Sequence, residues 1–93
     1  MGNGYSSVRD KEWSPNALKD YQRFQKTDRA TAAKIDELLA DIEKTPFTGL
    51  GKPEWLPLRG CWSRRIHKKD RLMYDVTDDT IYIYSCREHY DDH

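Results

Sequence analysis

Four side chains in the second half of the sequence have the chemistry to act on a phosphate ester: Glu54, Arg65, Arg71 and His89. A carboxylate and an imidazole can serve as base and acid, and guanidinium groups can hold a phosphate through paired N–H donors. Alternation decides where the arginines point. Leu72, Tyr74 and Val76 share one face of a strand-like run, leaving Arg71, Met73 and Asp75 on the other. In the preceding run Trp62, Arg64 and Ile66 alternate with Cys61, Ser63, Arg65 and His67. The apolar faces must meet the helices, so Arg65 and Arg71 are expected on an open sheet face, as a phosphate or carboxylate site. The alternative is two solvated arginines paired with Asp75 or Glu88. Glu54 follows Pro53 in a loop and could equally be an ordinary surface glutamate. Most single histidines, like His89, are structural or merely exposed. Sequence spacing does not bring Glu54 and His89 together.

The elements that must carry these residues are legible in the periodicity. Ser14-Pro15 opens a helix, with a serine cap and proline at the first helical position. Leu18, Tyr21 and Phe24 follow at helical spacing, and Asp28 can cap a second helix with the stripe Ala32, Ile35, Leu38, Leu39 and Ile42. Thr45-Pro46 ends it. Helices are predicted near 15–26 and 29–44. Residues 45–60 hold three prolines and three glycines and read as a loop with little regular structure. From Cys61 the period becomes two, predicting strands at 61–67, 71–76 and 81–86 joined as an antiparallel meander. Residues 1–12 are poorly defined, with at most a short strand ending at Trp13. The expected fold class is α+β, with two N-terminal helices on one face of a twisted antiparallel sheet and the other face open.

Composition bounds the rest. A chain of 93 residues is one domain, 1–93, with a single modest core. Its formal net charge is zero, but the charge is uneven. Residues 52–71 carry seven basic side chains (Lys52, Arg59, Arg64, Arg65, Lys68, Lys69 and Arg71) against two acidic ones. Residues 72–93 carry one basic side chain against six acidic, ending in the short tail 91–93. A local basic stretch can track a phosphate backbone in a neutral chain, with Lys52, Arg64, Lys68 and Lys69 as candidate nucleic-acid-binding residues, unless these charges scatter over different faces and cancel. Cys61 and Cys86 form neither a disulfide framework nor a zinc motif, and read as small buried hydrophobes in a reducing compartment. No metal site or cofactor is expected, and no apolar run is long enough for a membrane span. No secretion signal opens the chain, so a cytoplasmic location is expected.

Four ordered segments carry a resemblance. They are Thr45-Pro46-Phe47-Thr48-Gly49-Leu50-Gly51-Lys52-Pro53-Glu54, Trp62-Ser63-Arg64-Arg65-Ile66, Asp70-Arg71-Leu72-Met73-Tyr74-Asp75-Val76-Thr77-Asp78 and Cys86-Arg87-Glu88-His89-Tyr90. In order and spacing they resemble the YoeB/Txe toxins of the RelE superfamily, over residues 13–90. The resemblance implies a microbial-RNase-like RelE fold and the toxin half of a toxin–antitoxin pair. It implies a ribosome-dependent endoribonuclease (an mRNA interferase) that cuts messages in the A site by metal-independent attack of the 2′-OH. Carried over by position, Glu54 is the general base, Arg65 and Arg71 hold the scissile phosphate, His89 is the general acid, and Tyr90 orients the substrate. Implied partners are a YefM/Phd-like antitoxin, the 70S ribosome with its mRNA, a second copy in a homodimer, and operator DNA only through the antitoxin. The alternative is a toxin-fold module that binds antitoxin or ribosome without cleaving. The chain differs from the family in the charged run Asp10-Lys11-Glu12, in a loop between Glu54 and Trp62 about two residues shorter, in Asp70, and in the acidic tail.

Overall fold

The structure, a computed structural model, describes residues 8–87. A short strand β1 (Asp10–Trp13) leads into helices α1 (Pro15–Thr27) and α2 (Arg29–Lys44). Strands β2 (Glu54–Leu56), β3 (Cys61–Arg65), β4 (Arg71–Val76) and β5 (Thr80–Ser85) follow. The sheet order is β1-β5-β4-β3-β2.

Helix boundaries follow from capping chemistry. Ser14 Oγ accepts from the Ala17 N–H at 3.1 Å and donates to the Tyr84 carbonyl at 2.8 Å, so one hydroxyl caps α1 and ties it to β5. Asp28 closes α1 through its own N–H to the Phe24 carbonyl and opens α2 by accepting from Thr31 N and Oγ1. The two predicted helices are present almost residue for residue. The buried stripe of α1 differs: it runs Ala17, Tyr21 and Phe24, whereas Leu18 lies outward at 38% exposure. Helix α2 buries Ala32, Ile35, Leu38, Leu39 and Ile42 as expected. These side chains meet Leu72, Tyr74, Ile81 and Ile83 of the sheet, with Ile66 and Cys86 just past the ends of β3 and β5, in one core. Truncating a fully buried member such as Ile35 to alanine costs about 2–5 kcal/mol.

Strands β3 to β5 form the expected antiparallel meander, with Trp62 opposite Tyr74 and Asp75 opposite Tyr82, and β2 adds antiparallel to β3. Two features depart from the sequence reading. Strand β1 pairs parallel with β5, Asp10 beside Thr80 through Trp13 beside Ile83, so the sheet is mixed. The chain leaves β1 through both helices, crosses to the far edge at β2, and meanders back until β5 lies beside β1 in the same direction. The second departure is β2, which sits inside the segment read as loop. Pro53 and Pro57 flank it and lack the N–H needed to extend the ladder, so it stays three residues long.

The open face is also less bare than alternation implied. Met73 packs there with Leu56 and Cys61 in a second small cluster. Both cysteines are buried, and Cys86 Sγ lies 3.3 Å from the Ala17 carbonyl. Burial pushes the Cys86 thiol up to about 12, which makes it a poor nucleophile at neutral pH. No helix among the described residues is long and apolar enough to cross a membrane.

Candidate active site

Glu54, Ser63, Arg65 and Arg71 come together on the sheet face away from the helices. Glu54 is opposite Ser63 across β2–β3, and Ser63 is opposite Met73 across β3–β4. Arg71, two residues before Met73, reaches along the same face. Its Nη1 lies 3.2 Å from Ser63 Oγ and 3.9 Å from Glu54 Oε1. Glu54 is the more exposed partner, at 56% of its side chain against 19% for Arg71. The carboxylate is thus open to solvent, while the guanidinium is seated against the sheet.

Arg65 stands directly opposite Arg71 in the β3–β4 register and is exposed. Like charges facing each other across a ladder destabilise it. The arrangement makes sense where an anion is to be bound between or above them, because two guanidinium forks then converge on one group. The turn joining these strands carries Lys68 and Lys69, both exposed, and Lys52 is exposed at the end of the loop before β2. Lys52 has a left-handed backbone, φ 52°. At the β3–β4 turn Asp70 Oδ2 lies 3.2 Å from His67 Nε2.

One expected RNA-binding residue is elsewhere. Arg64 is fully buried, on the helix side of β3 between Trp62 and Ile66, and cannot meet a phosphate backbone. Its Nη1 donates to Asp41 Oδ2 at 2.6 Å, with the side-chain N–H groups otherwise directed at Tyr74 Oη and loop carbonyls. The signal was present in the alternation, which puts Arg64 on the apolar face. Local positive charge outweighed it. The Arg64 guanidinium, and after it the Leu50 N–H, holds the Asp41 carboxyl below its ordinary value. Burial pushes the Tyr74 phenol up, with the Arg64 contact opposing. Sequence reading also passed over Ser63, a buried hydroxyl that receives Arg71.

His89 and Tyr90 lie outside the described residues, as do Glu88 and the acidic tail 91–93. The last described residues leave β5 toward α1, where Arg87 Nη1 is 3.6 Å from Asp20 Oδ1. Asn16, Asp20, Tyr84, Ser85 and Arg87 line a pocket of about 410 Å³ at that end of the sheet. Among the described residues no group of three His, Cys, Asp or Glu side chains is placed to hold a metal ion.

Comparison with known proteins gives a consistent result. Residues 13–90 match the family described as YoeB-like toxin of bacterial type II toxin-antitoxin system. The chain is 50% identical over 80 residues to Toxin YoeB of Escherichia coli strain K12, covering 84% of this chain and 95% of that protein. It is 40% identical over 85 residues to Toxin RelK of Mycobacterium tuberculosis, covering 89% of this chain and all of that one. Among solved structures, a YoeB dimer from Staphylococcus aureus superposes with a TM-score of 0.85 at 40% identity, over 91% of this chain and 100% of that chain. The toxin in a heterotetrameric YoeB-YefM complex from the same organism superposes at 0.81 and 44% identity, over 88% and 98%.

Proposed function

The chain belongs to the YoeB-like toxins of bacterial type II toxin–antitoxin systems, and from that premise we propose that it is a ribosome-dependent endoribonuclease whose reaction runs on the open sheet face. The observation that carries this reading is Glu54 beside Arg71, with Arg65 directly opposite, all on one solvent-accessible face.

The chemistry follows from the groups. RNA carries its nucleophile, the 2′-OH, next to the scissile phosphate. Glu54 takes the 2′ proton as the 2′-oxygen attacks phosphorus. The Arg71 and Arg65 guanidiniums stabilise the charge that builds on the non-bridging oxygens, where a preorganised cation is worth most. His89 donates a proton to the departing 5′-oxygen, and Tyr90 orients the substrate. The products are a 2′,3′-cyclic phosphate and a 5′-hydroxyl. Lys52, Lys68 and Lys69 border the face and hold the backbone on either side. The substrate is mRNA in the ribosomal A site, which places the protein in the cytoplasm. A YefM-like antitoxin and a second copy of the chain are the proposed protein partners, with operator DNA reached only through the antitoxin.

The test is primer extension on a defined message in a purified translation system, with and without the protein. Cleavage inside the A-site codon is expected, and a 2′-deoxy substitution 5′ of the cut abolishes it. Ribosome binding without any cut supports the alternative of a non-cleaving binding module. Continued cutting at the 2′-deoxy site would remove the mechanism.

A further inference from the structure

The segment between α2 and β2, residues 45–53, has no regular structure yet delivers Glu54 to the open face. Such a stretch needs partners for its carbonyls, since an unpaired buried polar group is costly. Those carbonyls converge on two side chains. Arg64 Nη2 donates to the carbonyls of Thr45 at 2.7 Å and Thr48 at 2.8 Å. Arg64 Nη1 donates to the Leu50 carbonyl at 3.0 Å and to Asp41 Oδ2, and Nε donates to Tyr74 Oη at 3.1 Å. Tyr74 Oη in turn donates to the Pro46 carbonyl at 2.8 Å. A guanidinium has five N–H donors, and here each has an acceptor. Asp41 Oδ2 also accepts from the Leu50 N–H at 2.9 Å, so it grips the loop independently.

The backbone of β3 holds the same loop. The Arg65 N–H donates to the Gly51 carbonyl at 2.6 Å. Gly51 has φ +78°, and a Cβ there would lie 3.0 Å from the Arg65 carbonyl and 3.1 Å from Arg64 Cβ. Gly49 has φ +111°, and a Cβ there would overlap Asp41 Oδ2. The loop is therefore held both by the Arg64 side chain and by the backbone of β3, the latter three residues before Glu54. Pro53, with its fixed φ, removes one of the dihedrals that could absorb a shift between the loop and Glu54.

We infer that Arg64, with Asp41 and Tyr74, is a positioning hub that sets Glu54 against Arg71, a role that rests on the ribonuclease reading of the open face. An apolar side chain of similar volume would serve the core as well or better, because burying a cation carries a large desolvation cost. What an apolar residue cannot do is fix three carbonyls of an irregular loop at once. Lysine cannot do it either, with three donors on a point charge in place of a five-donor fork.

The test is a set of double-mutant cycles in the full-length protein, read as single-turnover cleavage on saturating programmed ribosomes. Arg64→Lys removes the fork, and Gly49→Ala displaces the Asp41 carboxylate and strains the loop without entering the core. Should Arg64→Lys fail to fold, Gly49→Ala carries the test. Each is expected to lower the cleavage rate by about 10- to 100-fold, with the half-saturating ribosome concentration within about twofold of wild type. In a Glu54→Gln background the same substitutions should cost less than about twofold, because the group they position is already disabled. Hydrogen exchange should accelerate in residues 46–54 well beyond any change in α2 or β4. Equal losses in both backgrounds, or exchange rising uniformly over the domain, would show a purely structural role and overturn the inference while leaving the activity intact. A wild-type protein that binds programmed ribosomes without cutting overturns the ribonuclease reading itself, and the inference with it.

Discussion

Arg64 and Arg65 are adjacent in sequence and have opposite surroundings. Arg64 faces the helices, is fully buried, and has an acceptor for every N–H. Arg65 faces solvent, directly across from another arginine. On the helix side, charge has been neutralised and spent on fixing backbone. On the open side, charge has been concentrated against electrostatic preference. On the proposed reading a bound phosphate relieves that conflict, and the difference between two neighbouring residues then separates architecture from chemistry.

That contrast can be broken most forcefully at Arg64. Replacing it by leucine removes the partner of Asp41 and strands the carbonyls of Thr45, Thr48 and Leu50. A loss of about 2–5 kcal/mol is expected, carried mainly by carbonyls left without donors, since Asp41 itself keeps contact with solvent. Urea unfolding would measure it. A loss below about 1 kcal/mol would mean the hub contributes little to the fold.

On the open face the cost should fall on rate instead of stability. Arg71→Ala and His89→Ala are each expected to reduce cleavage by about 10²–10³-fold, comparable to removing one preorganised donor from a charged transition state. For Arg71→Ala the stability loss should stay within about 1–3 kcal/mol, set mainly by the buried Ser63 hydroxyl that loses its donor, since the pairing with Glu54 is long and solvent-accessible. Glu54→Ala should be milder, because water or a ribosomal group can take the 2′ proton. Wild-type rates for both Arg71→Ala and His89→Ala would place the active site elsewhere.

Arg65→Gln sharpens the comparison through opposite signs. It should weaken cleavage while leaving stability unchanged or raising it by up to about 1 kcal/mol, because it relieves the like-charge pair with Arg71. Thermal melting beside a cleavage assay tests both halves. Destabilisation would show that Arg65 is held by favourable contacts and that the two sides of β3 do not differ as described.

Much of this was legible in the residues. The serine and aspartate caps, the α2 stripe and the period-two run beyond Cys61 each state a local rule that the fold obeys. Alternation alone placed Arg65 and Arg71 on one face. What could not be read was set by long-range contacts. The direction of β1 depends on where β5 finishes, about 70 residues later. Strand β2 has three residues between two prolines, too few to show a period. The hub around Arg64 joins α2, an irregular loop and two strands, and no spacing rule connects Asp41 to Arg64 or Tyr74 to Pro46. Local charge density drew Arg64 to the surface in the sequence reading, although its own strand face pointed inward.

The smallest effect expected concerns acid stability, and it isolates Asp41. Its carboxyl is held below the ordinary value of 3.8 by the Arg64 guanidinium first, then by the Leu50 N–H, with Lys44 adding a little. The folded state therefore binds a proton at Asp41 less readily than the unfolded chain does. Under linkage, this group contributes stability that is fully present above pH 3.8 and drains away as pH falls through the folded-state value. Asp41→Asn should thus be less stable than wild type at neutral pH, and the gap should narrow below pH 3.8 as wild-type Asp41 takes up its proton. Asp28 shifts in the same direction, but through the Thr31 hydroxyl and N–H at a helix cap. An Asp28→Asn variant therefore removes a titrating cap carboxylate without touching the hub. Comparing the two variants by urea unfolding from pH 7 to pH 2 separates cap from hub. If the Asp41→Asn gap stays constant across that range, the ion pair with Arg64 is not what stabilises the loop, and the Arg64 hydrogen bonds to the Thr45, Thr48 and Leu50 carbonyls hold it alone.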